Sequence, residues 1–348
     1  MEINLLKRVS WQRSQLLYHT QPRLGREGLN LLAPATPYVC IGLFQDAEQE
    51  VDLAYCGEND IPVFRREVGG GAVFLDGEQL FFQLVIHREN PLVPDGGKLA
   101  FYRKFLEAPI QAYRALGIPA EYREVNDIVA NDRKVSGTGA AEMGDYYVLV
   151  GNLIVDFDYE MMARVLRVPD EKFRDKVYKT IRDNLSTVKR EIGTVPDRNE
   201  LWSLMAEKFT DMLGPMEVVS SIDQAWEEEV DRLGERMLSD EWLHRRGRRR
   251  RAGRDIRIRA GVEVRQRVHK APGGLMRATL EVRDERLASV MFSGDFFFYP
   301  PEKLAALESS LVGVRTDEVR EAVARFYAAE GVESPGVSPD DFAALIGS

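Results

Sequence analysis

Arg65-Arg66-Glu67-Val68-Gly69-Gly70-Gly71-Ala72-Val73-Phe74 sets three consecutive glycines behind two arginines and ahead of an alternating apolar run. Glycine lacks a Cβ, so successive backbone N–H groups can approach an anion closely, and the stretch reads as a cradle for phosphate or carboxylate. Taken alone, three glycines between strand-like runs also read as a hairpin turn or bulge. A second stretch runs from Asn126-Asp127-Ile128 through five residues to Lys134-Val135-Ser136-Gly137. It places one lysine after an Asn-Asp pair and follows it with small residues that leave room for a ligand. By itself, Ala130-Asn131-Asp132-Arg133-Lys134 is also what a solvated turn with a surface lysine looks like.

Together, in order and spacing, the two stretches resemble the lipoate–protein ligase family of the biotin/lipoyl ligase superfamily. The family pattern is an arginine and three glycines ahead of a strand, then Asn-Asp, then Asp-Arg-Lys-Val-Ser-Gly, which here is Asp132 to Gly137. The resemblance continues at Gly151-Asn152, where relatives carry Gly-Thr preceded by histidines. Two departures stand out: Tyr146 to Val150 contains no histidine, and Glu67-Val68 replaces a small polar pair.

The resemblance implies an α+β biotin/lipoyl ligase catalytic fold of mixed, mostly antiparallel sheets packed with helices, followed by a small α+β accessory domain. It implies ATP-dependent activation of lipoate to lipoyl-AMP and transfer of the lipoyl group to a lysine of a carrier protein. That carrier would be a dehydrogenase lipoyl domain, a glycine-cleavage type carrier or a dedicated lipoate-binding protein. On this reading Lys134 is the catalytic cation, and Arg66 forks onto phosphate oxygens. Gly69, Gly70, Gly71 and Ala72 line the substrate. Phe74 walls the adenine or belongs to the core. Asn126, Ser136, Gly137, Gly151 and Asn152 complete the substrate and ATP contacts, and Asp127 binds magnesium.

At 348 residues the chain is long enough for two domains. The resemblance sets them at residues 1–244 and 245–348. Hydrophobic and charged shares of 44% and 30% are those of a globular protein. No apolar run approaches the roughly 20 residues that a bilayer span needs, and the acid at Glu2 and the lack of an apolar stretch near the start argue against a signal peptide, so a cytoplasmic monomer is expected. Cys40 and Cys56 stand in no Cys-x-x-Cys pair, too few for a structural zinc site with four scattered histidines. They are expected to be buried or incidental thiols.

Coarse periodicity predicts a buried strand over Pro37 to Leu43, a helix over Ala47 to Cys56, and strands over Ala72 to Phe74 and Leu80 to His87 joined as a hairpin by Asp76-Gly77. It predicts an amphipathic helix from Leu99 to Leu116 that Pro109 kinks or divides, then adjacent strands around Asn126 and Lys134 and another over Tyr146 to Val155. Helices follow at Glu160 to Leu166, Lys172 to Asn184 and Glu200 to Leu213. Arg245 to Arg259 holds nine arginines and one acid in a chain of net charge −9. The run reads as a linker or edge strand. It lacks interleaved aromatics, which argues against nucleic acid and for an acidic protein partner drawn in by opposite charge. Beyond it, His269 to Val282 and Leu287 to Phe298 are expected to pair around Asp284-Glu285, with helices at Pro301 to Leu311 and Thr316 to Ala329.

Three other functions compete. An octanoyltransferase of the same superfamily would need an acyl-accepting cysteine. A biotin–protein ligase would need a glycine-arginine adenylate loop that residues 65–75 do not contain. A non-catalytic carrier-binding protein would need neither.

Overall fold

A computed structural model describes residues 1–168, 170–247, 256–259 and 262–347 of the protein. Most of the arginine run, including Arg248 to Arg251, therefore lies outside the described residues. The described chain forms two compact units. One comprises Met1–Cys40, Glu50–Glu67 and Val73–Leu243, and the other Ile41–Gln49, Val68–Ala72 and His244–Ser348. Neither unit is one continuous stretch of chain.

The first unit is built on a six-stranded sheet with the order Thr138–Met143, Tyr146–Ile154, Gln79–His87, Gly28–Pro34, Glu2–Val9, Glu217–Val219. The first three pairings are antiparallel and the last two parallel. The central strand Gln-Leu-Phe-Phe-Gln-Leu-Val-Ile-His is nearly continuously apolar because both of its faces are covered. Phe82 and Leu84 join Leu29, Leu31 and Leu149 beneath the helices Gly97–Phe105, Glu107–Ala115 and Arg198–Leu213. Their neighbour Phe81 points the other way, to Leu32, Tyr38 and the helices Trp11–Thr20 and Gln224–Met237 through Leu16, Trp226 and Leu233.

Polar side chains cross this core in one line. Asn4 Nδ2 donates to Asn30 Oδ1 at 2.9 Å, Asn30 Nδ2 donates to Gln83 Oε1 at 3.3 Å, and Gln83 Nε2 donates to the Ser14 carbonyl at 2.6 Å. Asn4 lies opposite Asn30, and Asn30 opposite Gln83, in the strand register. A slip by one residue would strand buried amides against apolar neighbours, so this line specifies the register.

A small sheet orders Val63–Arg65, Tyr38–Ile41 and Val73–Leu75 side by side, and a third holds Glu121–Arg123, Asp127–Ala130 and Arg133–Ser136. The second unit has a four-stranded antiparallel sheet, Ile256–Arg259, Val262–Ala271, Gly274–Arg283 and Arg286–Gly294, with helices Lys303–Ser310, Val319–Glu330 and Pro339–Gly347.

The α+β class and most of the expected elements are present, with three corrections. Val73–Leu75 and Gln79–His87 do not form a hairpin. Asp76 does make a turn, accepting the Glu78 N–H on its carboxylate at 2.9 Å, but the strands on either side enter different sheets. The helix expected from Leu99 to Leu116 is divided, as Pro109 leads one to expect: it is broken at Leu106, because Pro109 is the third residue of the second helix and has no N–H to continue the ladder. The expected helix over Ala47 to Cys56 is likewise two short ones, and Asp52 caps the second by accepting from Tyr55 N at 3.0 Å. The expected strand His269 to Val282 is a hairpin, turning at Pro272-Gly273. Helix Gln224–Met237 is not among the expected elements, although Trp226, Val230, Leu233 and Met237 recur at helical spacing and pack in one core cluster. Strand Glu2–Val9 lies in a stretch of irregular apolar spacing, and its apolar residues divide between two clusters, Ile3 to one and Leu6 and Val9 to the other.

Tyr113 ties helix Glu107–Ala115 to two strands. Its buried hydroxyl donates to the Val135 carbonyl and accepts the Ile154 N–H at 3.1 Å. Tyr113→Phe leaves both backbone groups without that partner in a dry site, and should lower the unfolding free energy by about 1–3 kcal/mol in a urea titration. A change below about 0.5 kcal/mol would show that the bridge carries no net stability.

Candidate active site

Lys134 sits on the return strand of a two-residue hairpin. Asn131 and Asp132 both adopt positive φ, +49° and +62°, the conformation that a tight two-residue turn requires and that Asn and Asp tolerate best. The turn pairs Ala130 with Arg133 and Val129 with Lys134. Asp127, two residues before Val129, thereby becomes the diagonal neighbour of Lys134. Its Oδ1 lies 2.6 Å from Lys134 Nζ, with the two side chains 32% and 33% exposed.

The backbone around this pair is held from several directions. Ser186 N donates to the Lys134 carbonyl at 2.8 Å, Tyr113 holds Val135, and Asn131 Nδ2 donates to Glu191 Oε2 at 2.7 Å. Asn126 and Thr138 bond each other reciprocally, Asn126 Nδ2 to the Thr138 carbonyl and Thr138 Oγ1 to the Asn126 carbonyl.

Asn152 is the hub next to this hairpin. Its Oδ1 accepts the Gly137 N–H at 2.8 Å, its carbonyl accepts the Ser136 hydroxyl at 2.6 Å, and its Nδ2 donates to Gln79 Oε1 at 2.7 Å. Gln79 Nε2 in turn donates to the Phe74 carbonyl at 3.1 Å. Ser136, Gly137, Asn152 and Phe74 thus belong to one connected network with Lys134 at its edge. Ser136, Asn152 and Phe74 are buried. Gly151 faces Phe82 across the sheet, and a Cβ there would stand 2.2 Å from the ring, so packing alone demands glycine at this position.

Arg65 and Arg66 are neighbours with different roles. Arg65 is 0% exposed, and its guanidinium donates to the carbonyls of Trp242 at 3.1 Å and Leu243 at 2.6 Å, while Trp242 Nε1 donates back to the Arg65 carbonyl at 2.8 Å. Arg66 is half-buried and reaches the Cys40 carbonyl at 3.3 Å and sulfur at 3.6 Å. Glu67 takes Arg23 at 2.8 Å and Arg236 at 2.9 Å. Burial pushes its carboxyl up, but the charges around it outweigh that effect and hold it below the usual range. The Glu67 N–H donates to His19 Nε2 at 3.0 Å. Sequence reasoning did not single out His19, which is buried and whose ring burial lowers from 6.5 to about 4. The only signal was its unusual partner, Glu67.

In the second unit, the glycines meet backbone. Gly70 has φ +89°, and its N–H points to the Phe296 carbonyl at 3.4 Å. A Cβ on Gly69 would stand 2.8 Å from that carbonyl, and one on Gly42 only 1.9 Å from the Gly70 oxygen. Gly71 differs, since a Cβ there meets only Asp295, at an ordinary 3.6 Å. Ala72 follows it, half-buried.

Among the described residues no group of three or more His, Cys, Asp or Glu side chains is placed to hold a metal ion. No helix among them is long and apolar enough to cross a membrane.

A model of the lipoyl protein ligase A/B catalytic domain matches residues 8–210, more than half of the chain. The chain belongs to that family. A lipoate–protein ligase of Streptococcus pyogenes is 27% identical over 300 residues, covering 81% of this chain and 80% of its own length. An octanoyltransferase LipM of Kyrpidia tusciae is 24% identical over 232 residues, 60% of this chain and 84% of the relative. Among solved structures, the bi-partite lipoate protein ligase of Thermoplasma acidophilum, described with its E2 lipoyl domain, is 28% identical with a TM-score of 0.61 over 70% of this chain and 95% of its own. A lipoate-protein ligase A bound with ATP gives 25% identity and a TM-score of 0.58 over 70% of this chain and 99% of its own.

His19 makes acid stability testable. Between about pH 6.5 and about pH 4 the unfolded chain binds a proton that folded His19 refuses, so this group's contribution to stability falls as pH drops through that window. His19→Gln, which cannot titrate, should show a flatter fall in Tm over the same window; an unchanged slope would mean that the ring is not held neutral. For the glycines, Gly151→Ala should lower Tm sharply, whereas Gly71→Ala, whose Cβ meets only Asp295 at an ordinary contact distance, should leave Tm within a few degrees of the parent.

Proposed function

We propose that the protein is an ATP-dependent lipoate–protein ligase, and that Lys134 is its catalytic cation. A carboxylate does not acylate an amine at neutral pH, because hydroxide is too poor a leaving group. The lipoate oxygen therefore attacks the α-phosphorus of ATP, the bond to pyrophosphate breaks, and lipoyl-AMP forms. The amine nitrogen of the carrier lysine then attacks the acyl carbon, AMP leaves, and the amine gives its proton to solvent. Charge gathers on the α-phosphate and the reacting oxygens in the first step, and on the acyl oxygen in the second. A preorganised cation lowers both barriers.

The observation that carries this reading is the contrast between Lys134 and the two cysteines. Lys134 offers a part-exposed ammonium on a fixed backbone, opposed by a single carboxylate. The chain has only two thiols, Cys40 and Cys56, and both are buried. Burial raises the pKa of each, that of Cys56 to about 11. A transferase that carries its acyl group on sulfur needs an accessible, low-pKa thiolate, so the buried thiols favour direct adenylation over the transferase reading that the LipM relative suggests.

Arg66 is the candidate for the phosphate oxygens, as a planar fork suited to bidentate contact. Asn126 would line lipoate or nucleotide, and Gly71 and Ala72 are the candidates for further substrate contacts. Ser136, Gly137 and Asn152 contribute by holding the Lys134 hairpin through their shared hydrogen bonds, a network that Gln79 extends to the Phe74 carbonyl, and Gly151 by packing on Phe82. Magnesium suits one or two carboxylates plus substrate oxygens. Asp127 alone fits an ion that arrives with ATP, which would supply further neutralisation of phosphate charge. Residues 1–244 would hold the chemistry and 245–348 act as the accessory domain. The acceptor would be a lipoyl carrier domain, as the lipoyl domain described with the Thermoplasma ligase supports.

Lipoate-dependent exchange of pyrophosphate into ATP tests the reading. Lys134→Ala should abolish exchange with Tm within a few degrees of the parent, because a part-exposed side chain leaves no packing cavity. The Cys40→Ser, Cys56→Ser double variant should keep exchange and lipoyl transfer. Exchange that survives Lys134→Ala, or an acyl-thioester on either cysteine in the parent, would refute the ligase assignment.

A further inference from the structure

The three residues Arg65, Arg66 and Glu67 are held very unevenly. On one side, the buried Arg65 guanidinium spans two carbonyls and its own carbonyl takes the Trp242 indole N–H. On the other, Glu67 is bound at both main chain and side chain. Its carboxylate accepts Arg23 through both oxygens, at 3.0 and 2.8 Å, and Arg236 at 2.9 Å. Its N–H, which belongs to the peptide group joining it to Arg66, donates to His19 Nε2 at 3.0 Å.

His19 is itself fixed. Its Nδ1 lies 2.7 Å from the Gln15 carbonyl, which can only accept, so Nδ1 carries the proton and Nε2 is left as the acceptor that the Glu67 N–H requires. The ring lies against Tyr18, with centroids 4.0 Å apart, and edge-on to Phe64 at 6.2 Å. The charged groups that face it are Glu67, Arg23 and Arg236, and Arg23 also donates to the His19 carbonyl. Helix Trp11–Thr20 thus presents one neutral imidazole in one tautomer to the peptide that joins Arg66 to Glu67.

We infer that His19 is a positioning residue, which fixes the Arg66–Glu67 peptide and so sets the place from which the Arg66 guanidinium takes the phosphate oxygens of ATP. The inference rests on the role proposed above for Arg66, and adds a residue remote from the chemistry to the determinants of ATP affinity. His19 touches no substrate. It acts by denying the peptide a second orientation, because turning the peptide would bury the Glu67 N–H without a partner.

Calorimetric titration of ATP, without lipoate, into the intact protein and its variants tests this. Arg66→Ala and His19→Phe should each weaken ATP by about tenfold, a change typical of losing one charge-assisted contact. The double variant should be no weaker than either single one, since both changes remove the same interaction. His19→Gln, whose amide can donate to Gln15 and accept from Glu67, should recover most of the affinity, a rescue that a generally loosened fold would not give. If His19→Phe does not fold, His19→Asn replaces it, because its shorter amide cannot reach both partners.

If Arg66→Ala weakens ATP while folded His19→Phe or His19→Asn does not, the positioning role is overturned and the phosphate role stands. Additive losses in the double variant would also overturn it, placing His19 and Arg66 on separate interactions. If neither variant weakens ATP, or the parent binds none, the Arg66 reading fails and takes the positioning role with it.

Discussion

Lys134 depends on its backbone being unable to move. A lysine side chain has four rotatable bonds and places its charge well only if its Cα is fixed, and here the Cα is fixed by neighbours rather than by the strand alone. The Asn131-Asp132 turn sets the register, Ser186 closes on the Lys134 carbonyl, and Tyr113 reaches out of the core to the next residue. Two residues on, Gly137 is held by Asn152, which is anchored through Gln79 in the central strand. That strand is in turn held in register by the amide line through Asn30 and Gln83. Placement of one surface charge thus runs back, bond by bond, to the buried sheet.

The same chain of dependence explains why the glycines do not share one purpose. A phosphate cradle needs glycine where N–H groups must meet an anion; close packing needs it where another backbone or a ring comes too near for a Cβ. Gly42, Gly69 and Gly151 answer to the second demand, with 1.9, 2.8 and 2.2 Å to the nearest obstructing atom. Gly71 does not, and its missing side chain calls for another reason. The arginine pair divides in the same way. Arg65 spends its donors on the carbonyls of Trp242 and Leu243, whereas the half-buried Arg66 reaches the Cys40 carbonyl and sulfur.

What could be read in the sequence was whatever a local pattern specifies. The Asn-Asp turn, the strand pair around Lys134, the Asp284-Glu285 turn and helices such as Arg198–Leu213 were visible, because turn chemistry and periodicity act over a few residues. Asp76-Gly77 shows the limit. Its turn chemistry was legible, but whether the flanking strands pair is decided by Gly28–Pro34 and Tyr146–Ile154 competing for the central strand. At the site, the motif residues were legible as a set and their division of labour was not. Ser136, Gly151 and Asn152 carry no mark that distinguishes a buried hydrogen bond from a ligand contact, and His19 lies 48 positions from the peptide it holds. Glu67 was visible as a departure from the family, and its reason needed Arg23 and Arg236 brought alongside.

The Lys134–Asp127 pair has a further consequence for how such a site can rest without a ligand. An isolated ammonium aimed at a nucleotide site would attract any anion, and a deeply buried ion pair would be costly to open. At about one-third exposure each, these two charges neutralise one another in a setting where such a pair contributes at most about 1 kcal/mol. On the ligase reading proposed above, a triphosphate would present several negative charges to the same ammonium and would compete with one carboxylate at small cost, leaving Asp127 to a cation that travels with the phosphates. Partial exposure would then be the condition that lets one lysine be quiet when empty and available when ATP arrives.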